Sequence, residues 1–155
     1  MIMENRDSKR ILIVEDDATY RELLKLRLEL AGYDVIAAAD GLSGLELARK
    51  AHPDLVILDL SLPACGGATE TGGPALDRRY GHKICRMIKF DQNLRRIPVL
   101  ILTCSDTADN IALALRSGAD AYLMKTGSPE VFMKEVGKLV HPTSAVPLNS
   151  EMMSS

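Results

Sequence analysis

The stretch "RILIVEDDATY", Arg10 to Tyr20, decides the fold. Its apolar run, Ile11 to Val14, is too short for a helix and lacks polar alternation, so it reads as a strand covered on both faces. It runs directly into Glu15, Asp16 and Asp17. Three consecutive carboxylates at the end of a buried strand must either face water or hold something positive.

Working outward, the same kind of run recurs as "DVIAA" from Asp34, "LVILDL" from Leu55, "PVLILT" from Pro98 and "AYLM" from Ala121. Helical patterns with recognisable ends lie between them. Thr19 to Ala31 places Leu23, Leu24, Leu28 and Ala31 on one side and stops at Gly32. Asp40 caps "GLSGLELARK", and "GHKICRMIKF" places Ile84, Met87 and Ile88 on one stripe. "DTADNIALALRSG" ends at Gly118; "SPEVFMKEVGKLV" opens with a serine cap, a proline at the first helical position and an early glutamate. Five βα units in succession predict an α/β fold, a doubly wound parallel sheet whose right-handed crossovers put helices on both faces. Ligands in such sheets bind at the carboxyl ends of the strands, where the acidic run sits.

Composition narrows the functional classes. The chain has 155 residues, is 46% hydrophobic and 26% charged, and carries a net charge of −2, which predicts one ordinary domain and gives no basic footprint for nucleic acid or an anionic membrane. Cys65, Cys85 and Cys104 form no CxxC pair, as expected in a reducing compartment, and His52, His82 and His141 are too scattered for a zinc site. The N-terminus lacks a signal-peptide core and no run is long enough to span a bilayer. A cytoplasmic protein is expected. Residues 10–140 read as the domain, residues 1–9 and 141–155 as disordered ends, and Ala64 to Tyr80, rich in Gly and Thr, as a long mobile insertion.

Topology brings four features together at strand ends: Glu15 with Asp16, Asp59, Thr103 and Lys125. Carboxylates crowded within a few ångströms repel, and a divalent cation relieves the conflict. Oxygen-only ligands without His or Cys suit Mg²⁺, which commonly completes its shell with phosphate oxygens. With an ammonium and a hydroxyl added, the set describes a pocket for a phosphoryl group, with one carboxylate to accept it.

In their order and spacing, "ILIVEDD", "VILDLSLP", "VLILTCSD" and "AYLMK" resemble the receiver domain of two-component response regulators, over roughly residues 10–140. The resemblance implies a flavodoxin-like (βα)5 fold with Asp59 as phospho-acceptor. It further implies that Asp16 binds Mg²⁺ directly, Glu15 holds it through water and the Ser61 backbone carbonyl supplies a third contact. Thr103 and Tyr122 match the switch pair, and Lys125 the phosphate-contacting lysine. Asp17 falls outside the metal set, near the start of the first helix. The implied partners are a histidine kinase or histidine phosphotransfer protein and a downstream protein target, and the implied chemistry is self-directed phosphotransfer and dephosphorylation, not turnover of another substrate.

Three departures from the family stand out. Thr126 follows Lys125 where the family has a proline after a cis peptide, so this loop is expected to be trans and rearranged, or strained. The Ala64 to Tyr80 segment exceeds the usual connection by about 14 residues. No output domain follows the fifth helix, which favours a stand-alone regulator of the chemotaxis-regulator kind. The alternatives are the receiver fragment of a hybrid kinase or DNA-binding regulator and, from another class, a haloacid-dehalogenase-like phosphatase. The latter would want an aspartate two residues after Asp59, where this chain has Ser61.

Overall fold

Five strands alternate with five helices: β1 (Arg10–Val14), α1 (Ala18–Leu30), β2 (Asp34–Ala38), α2 (Gly41–Ala51), β3 (Leu55–Asp59), α3 (Gly81–Phe90), β4 (Val99–Thr103), α4 (Ala108–Arg116), β5 (Ala121–Met124) and α5 (Pro129–Val140). The structure is a computed structural model and describes residues 8–62, 80–104 and 107–141. The expected disordered ends and the Ala64 to Tyr80 insertion lie outside these, apart from Ser8, Lys9, Tyr80 and His141. All strand pairs are parallel and the order is β2-β1-β3-β4-β5, which is the flavodoxin-like doubly wound sheet. The chain reverses its direction of travel across the sheet between β1 and β3, and this leaves a crevice at their carboxyl ends.

Strand parity divides the core into two layers. Ile11 and Ile13, Leu55 and Ile57, and Leu100 and Leu102 pack with Leu24, Leu28, Phe132 and Val136 under α1 and α5. Their alternates Leu12 and Val14, Val56 and Leu58, and Val99 and Ile101 pack with Leu45, Ala48, Ile84, Ile88 and Ala114 under α2, α3 and α4. Burial on both faces explains the continuous apolar runs. The buried stripes are narrower than the sequence reading: Leu24 and Leu28 are enclosed but Leu23 is 44% exposed, and Ile84 and Ile88 are enclosed but Met87 is 41% exposed. One residue step rotates a helix by about 100°, which carries Leu23 and Met87 off the core-facing line.

Capping follows the sequence closely. Asp17 accepts from Thr19 N–H and Tyr20 N–H, Asp40 from Ser43 N–H, Thr107 from Asn110 N–H, and Ser128 from Glu130 N–H and Val131 N–H. Gly32 and Gly118, at φ +98° and +89°, carry the left-handed turns after α1 and α4. The start of α3 has no side-chain cap. Backbone bonds hold it instead: Tyr80 N–H donates to the Leu62 carbonyl (3.0 Å) and Gly81 N–H to that of Leu60 (3.2 Å). Leu62 and Tyr80, the described residues on either side of 63–79, are therefore held together. Among the described residues no helix is long and apolar enough to cross a membrane.

Candidate functional site

The parity that sorts the core also sorts the predicted site residues. Glu15 continues the Ile11, Ile13 series and Asp59 the Leu55, Ile57 series; Lys125 continues Ala121 and Leu123, so all three fall on the α1/α5 side. Thr103 continues Val99 and Ile101, and Tyr122 packs against the same α2–α4 layer. Val14 pairs with Leu58, which brings the residues that follow, Glu15 and Asp59, together across the crevice.

Carboxylate oxygens of Glu15, Asp16 and Asp59 lie within 4.8 Å of one another. Glu15 is 1% and Asp59 2% exposed, a degree of enclosure that carboxylates rarely reach unless they are paired. The Lys125 ammonium supplies the pairing, at 2.8 Å from Glu15 Oε1 and 3.3 Å from Asp59 Oδ2. Burial pushes Glu15 up from 4.5 to about 6; Lys125 pulls it back and the neighbouring charge of Asp59 adds to the rise. For Lys125, burial acts to lower the pKa, but bonding to Glu15 and the charges of Asp59 and Glu15 outweigh it and the ammonium is held above its ordinary value.

Backbone groups hold the acids in place. Ser61 N–H donates to Asp59 Oδ1 (2.9 Å) and Asp17 N–H to Glu15 Oε2 (3.0 Å). Arg21, in α1, donates from Nη1 to the Glu15 carbonyl (2.8 Å), which ties the β1–α1 turn to the helix. Lys125 is anchored by its own N–H on the Thr103 carbonyl (2.7 Å). No peptide bond among the described residues is cis, so the Lys125–Thr126 bond is trans and the first of the two expectations for this loop holds. A turn follows, with Gly127 N–H on the Met124 carbonyl (3.1 Å), and the lysine still reaches both acids.

Thr103 is buried at the end of β4 and its Oγ1 accepts from Asn110 Nδ2 (3.4 Å). Tyr122 is half-buried one strand further along, on the side opposite the ionic cluster. Asp17 is the α1 cap, as its place in the acidic run implied.

Tyr20 and Gly81 escaped the sequence reading. The Tyr20 ring centroid lies 4.8 Å from Lys125 Nζ. Gly81 approaches so closely that a Cβ there would collide with the Asp59 carbonyl oxygen and lie 2.8 Å from Leu60 Cα. The only sequence signal for Tyr20 was its place in the first helical turn after the acids. Gly81 gave none beyond being a glycine at a helix start.

The donor set fits a hard divalent cation. It is all oxygen, it carries three negative charges against one ammonium, and it contains no His or Cys. Glu15 Oε1 is buried and faces the Lys125 ammonium at 2.8 Å, so a positive charge already sits where a cation would be held.

Fold and site together define a doubly wound α/β domain with an acidic pocket and a lysine at its switch point. Residues 11–71 match the response regulator receiver domain family. A putative response regulator from Chloroflexus aurantiacus superposes with a TM-score of 0.71 at 29% identity, over 86% of this chain and 98% of that one. The receiver domain of sensor histidine kinase PA1611 from Pseudomonas aeruginosa, solved with a magnesium ion coordinated in its active site cleft, superposes with a TM-score of 0.70 at 25% identity, over 86% and 98%. The DNA-binding dual master transcriptional regulator RpaA of Synechocystis is 36% identical over 138 residues, 89% of this chain and 52% of the relative. The chain is a response regulator receiver domain, and it spans about half the length of the relatives it matches in sequence.

Proposed function

We propose that this receiver takes a phosphoryl group onto Asp59 from a histidine kinase or histidine phosphotransfer protein, with Mg²⁺ in the acidic pocket, and signals by changing its contacts with a protein target. The observation that carries this reading is the trio of carboxylates within 4.8 Å, with the Lys125 ammonium 3.3 Å from Asp59. Asp16 and Asp59, with Glu15 through water and the Ser61 carbonyl, would hold the cation, which when bound neutralises charge on the incoming phosphoryl oxygens.

The chain's own residues do the rest. Ser61 N–H fixes the Asp59 carboxylate for in-line attack by one of its oxygens. The donor's bond to phosphorus breaks as the new one forms, and the leaving group departs with the bonding pair. Lys125 lies where it can pair with the added negative charge. Thr103 and Tyr122, on neighbouring strands and the same side of the sheet, are placed to carry the change toward the α4–β5 surface: the hydroxyl moves toward the phosphate and the ring turns inward. The chemistry ends on the protein itself, so no separate substrate is turned over.

A second reading concerns the whole protein. RpaA is a DNA-binding regulator about twice the matched length, so the same receiver joined to a DNA-binding domain would pass its signal to transcription. On that reading DNA contact would fall to the further domain.

Incubation with acetyl phosphate and Mg²⁺ should add one phosphoryl mass, and chelation of the metal or Asp59→Asn should abolish it. Labelling that persists in Asp59→Asn would refute the assignment.

A further inference from the structure

Lys125 has an unusual distance to cover. β5 is the edge strand, and Glu15 stands beyond β4 and β3 at the end of β1. At about 4.8 Å per strand that is a gap of roughly 14 Å, more than a lysine side chain bridges alone, so the residues that follow the two strands and both side chains share it. The lysine's four-carbon stem has many rotamers, and selecting one is entropically costly. The backbone fixes the root through the Thr103 carbonyl, but something must also aim the tip.

Three groups surround the ammonium: Glu15 Oε1 at 2.8 Å, Asp59 Oδ2 at 3.3 Å and the Tyr20 ring at 4.8 Å. The two carboxylates are the groups that the proposed function commits elsewhere, one to the cation and one to the phosphoryl group. The ring is uncharged and has no competing role. Its own position is firm: Asp17 accepts from Tyr20 N–H at 3.2 Å, and the half-buried side chain packs against the α1/α5 layer. A ring face within about 6 Å of a cation attracts it electrostatically, and more strongly where water is partly excluded.

We propose that Tyr20 is a positioning residue, whose ring face keeps the Lys125 ammonium aimed at Asp59 when the carboxylates are occupied. This rests on the reading of Lys125 as the residue that meets the phosphoryl group. The position of Tyr20 in the first turn of α1 makes that turn part of the site: Asp17 caps it, Tyr20 directs the lysine and Arg21 fixes the backbone of Glu15.

Tyr20→Leu, similar in bulk but without a π face, and Tyr20→Phe, which keeps the face, separate the ring from the hydroxyl and from simple packing. At saturating Mg²⁺, Tyr20→Leu should raise the acetyl phosphate concentration for half-maximal phosphorylation, or slow the step, by roughly three- to tenfold. Tyr20→Phe should stay within about twofold of the parent. In a Lys125→Met background Tyr20→Leu should have no further effect. Independently of any phosphorylation, the Lys125 side-chain protons of the unmodified protein should show an upfield ring-current shift by NMR, kept in Tyr20→Phe and lost in Tyr20→Leu. Equal impairment of the Phe and Leu variants, a full Leu effect without Lys125, or absence of the ring-current shift would overturn the proposal. A parent with the ring-current shift that takes no phosphate on Asp59 would instead defeat the functional reading beneath it.

Discussion

Gly81→Ala puts the fit between helix and acceptor strand under direct strain. In an ordinary helix the change helps, since alanine is favoured over glycine by up to ~1 kcal/mol. Here the added methyl would collide with the Asp59 carbonyl oxygen and approach Leu60 Cα to 2.8 Å and the Asp59 carbonyl carbon to 3.0 Å. These are backbone atoms with no rotamer to change, and they are held on the other side: Asp59 pairs with Leu102 in the β3–β4 ladder and Leu60 N–H donates to the Leu102 carbonyl at 2.8 Å. Relief requires α3 or the end of β3 to move by about an ångström. Overpacking of this kind typically costs ~1–3 kcal/mol, and the rigid partners argue for the upper half of that range. A net loss of about 2 kcal/mol, or ~4–8 °C in Tm for a chain of this size, is expected in urea and thermal melts. Phosphorylation should fall as well, because the displaced atoms belong to Asp59. Gly137→Ala is the internal control: no atom lies within 4 Å of a Cβ there, and a gain of ~0.5–1 kcal/mol is expected. If both alanines stabilise the protein alike, α3 does not press on the acceptor strand and the reasoning fails.

Three further outcomes follow from the same geometry. Asp16→Ala should abolish most Mg²⁺ binding in a titration, whereas Asp17→Ala should bind Mg²⁺ almost as the parent does but lose ~1 kcal/mol of stability with its two capping bonds; equal losses of Mg²⁺ affinity would show the acidic run is misassigned. Because burial raises Glu15 to about 6 in the folded, metal-free protein, ionising it opposes folding: the penalty is absent below about pH 4.5, grows through pH 6 and is complete above, at ~2 kcal/mol. Glu15→Gln should therefore be more stable than the parent at pH 7.5, with the difference fading toward pH 4.5 in paired urea melts; a pH-independent difference would contradict this. Replacing residues 64–79 by a short Gly-containing turn should leave folding intact and acetyl phosphate labelling within about tenfold, since Tyr80 N–H already meets the Leu62 carbonyl at 3.0 Å; a folded, Mg²⁺-binding variant that no longer labels would place the insertion in the active site.

The fold was legible because its signals are local. Short apolar runs, most of them without alternation, marked all five strands, and Asp40, Ser128 and the glycines after α1 and α4 marked helix ends to within a residue or two. Strand parity even separates Glu15, Asp59 and Lys125 from Thr103 and Tyr122, a division that could have been read from spacing alone. What escaped the sequence was contact between distant segments. Tyr20 and Lys125 are 105 positions apart, and nothing in either neighbourhood shows that one ring faces the other's ammonium. Gly81 is required by backbone proximity to Asp59, which no periodicity encodes. Met87 and Leu23 were placed in the core because helical period fixes a stripe but not its width.

The central claim, that Asp59 accepts the phosphoryl group, is tested most directly by finding the acyl phosphate itself. After incubation with acetyl phosphate and Mg²⁺, borohydride reduces an aspartyl phosphate to homoserine, and tandem mass spectrometry then reads the converted position. Conversion at position 59 and nowhere else is the result expected. Conversion at Glu15 or Asp16, or phosphate found on a hydroxyl side chain with Asp59 untouched, would contradict the account.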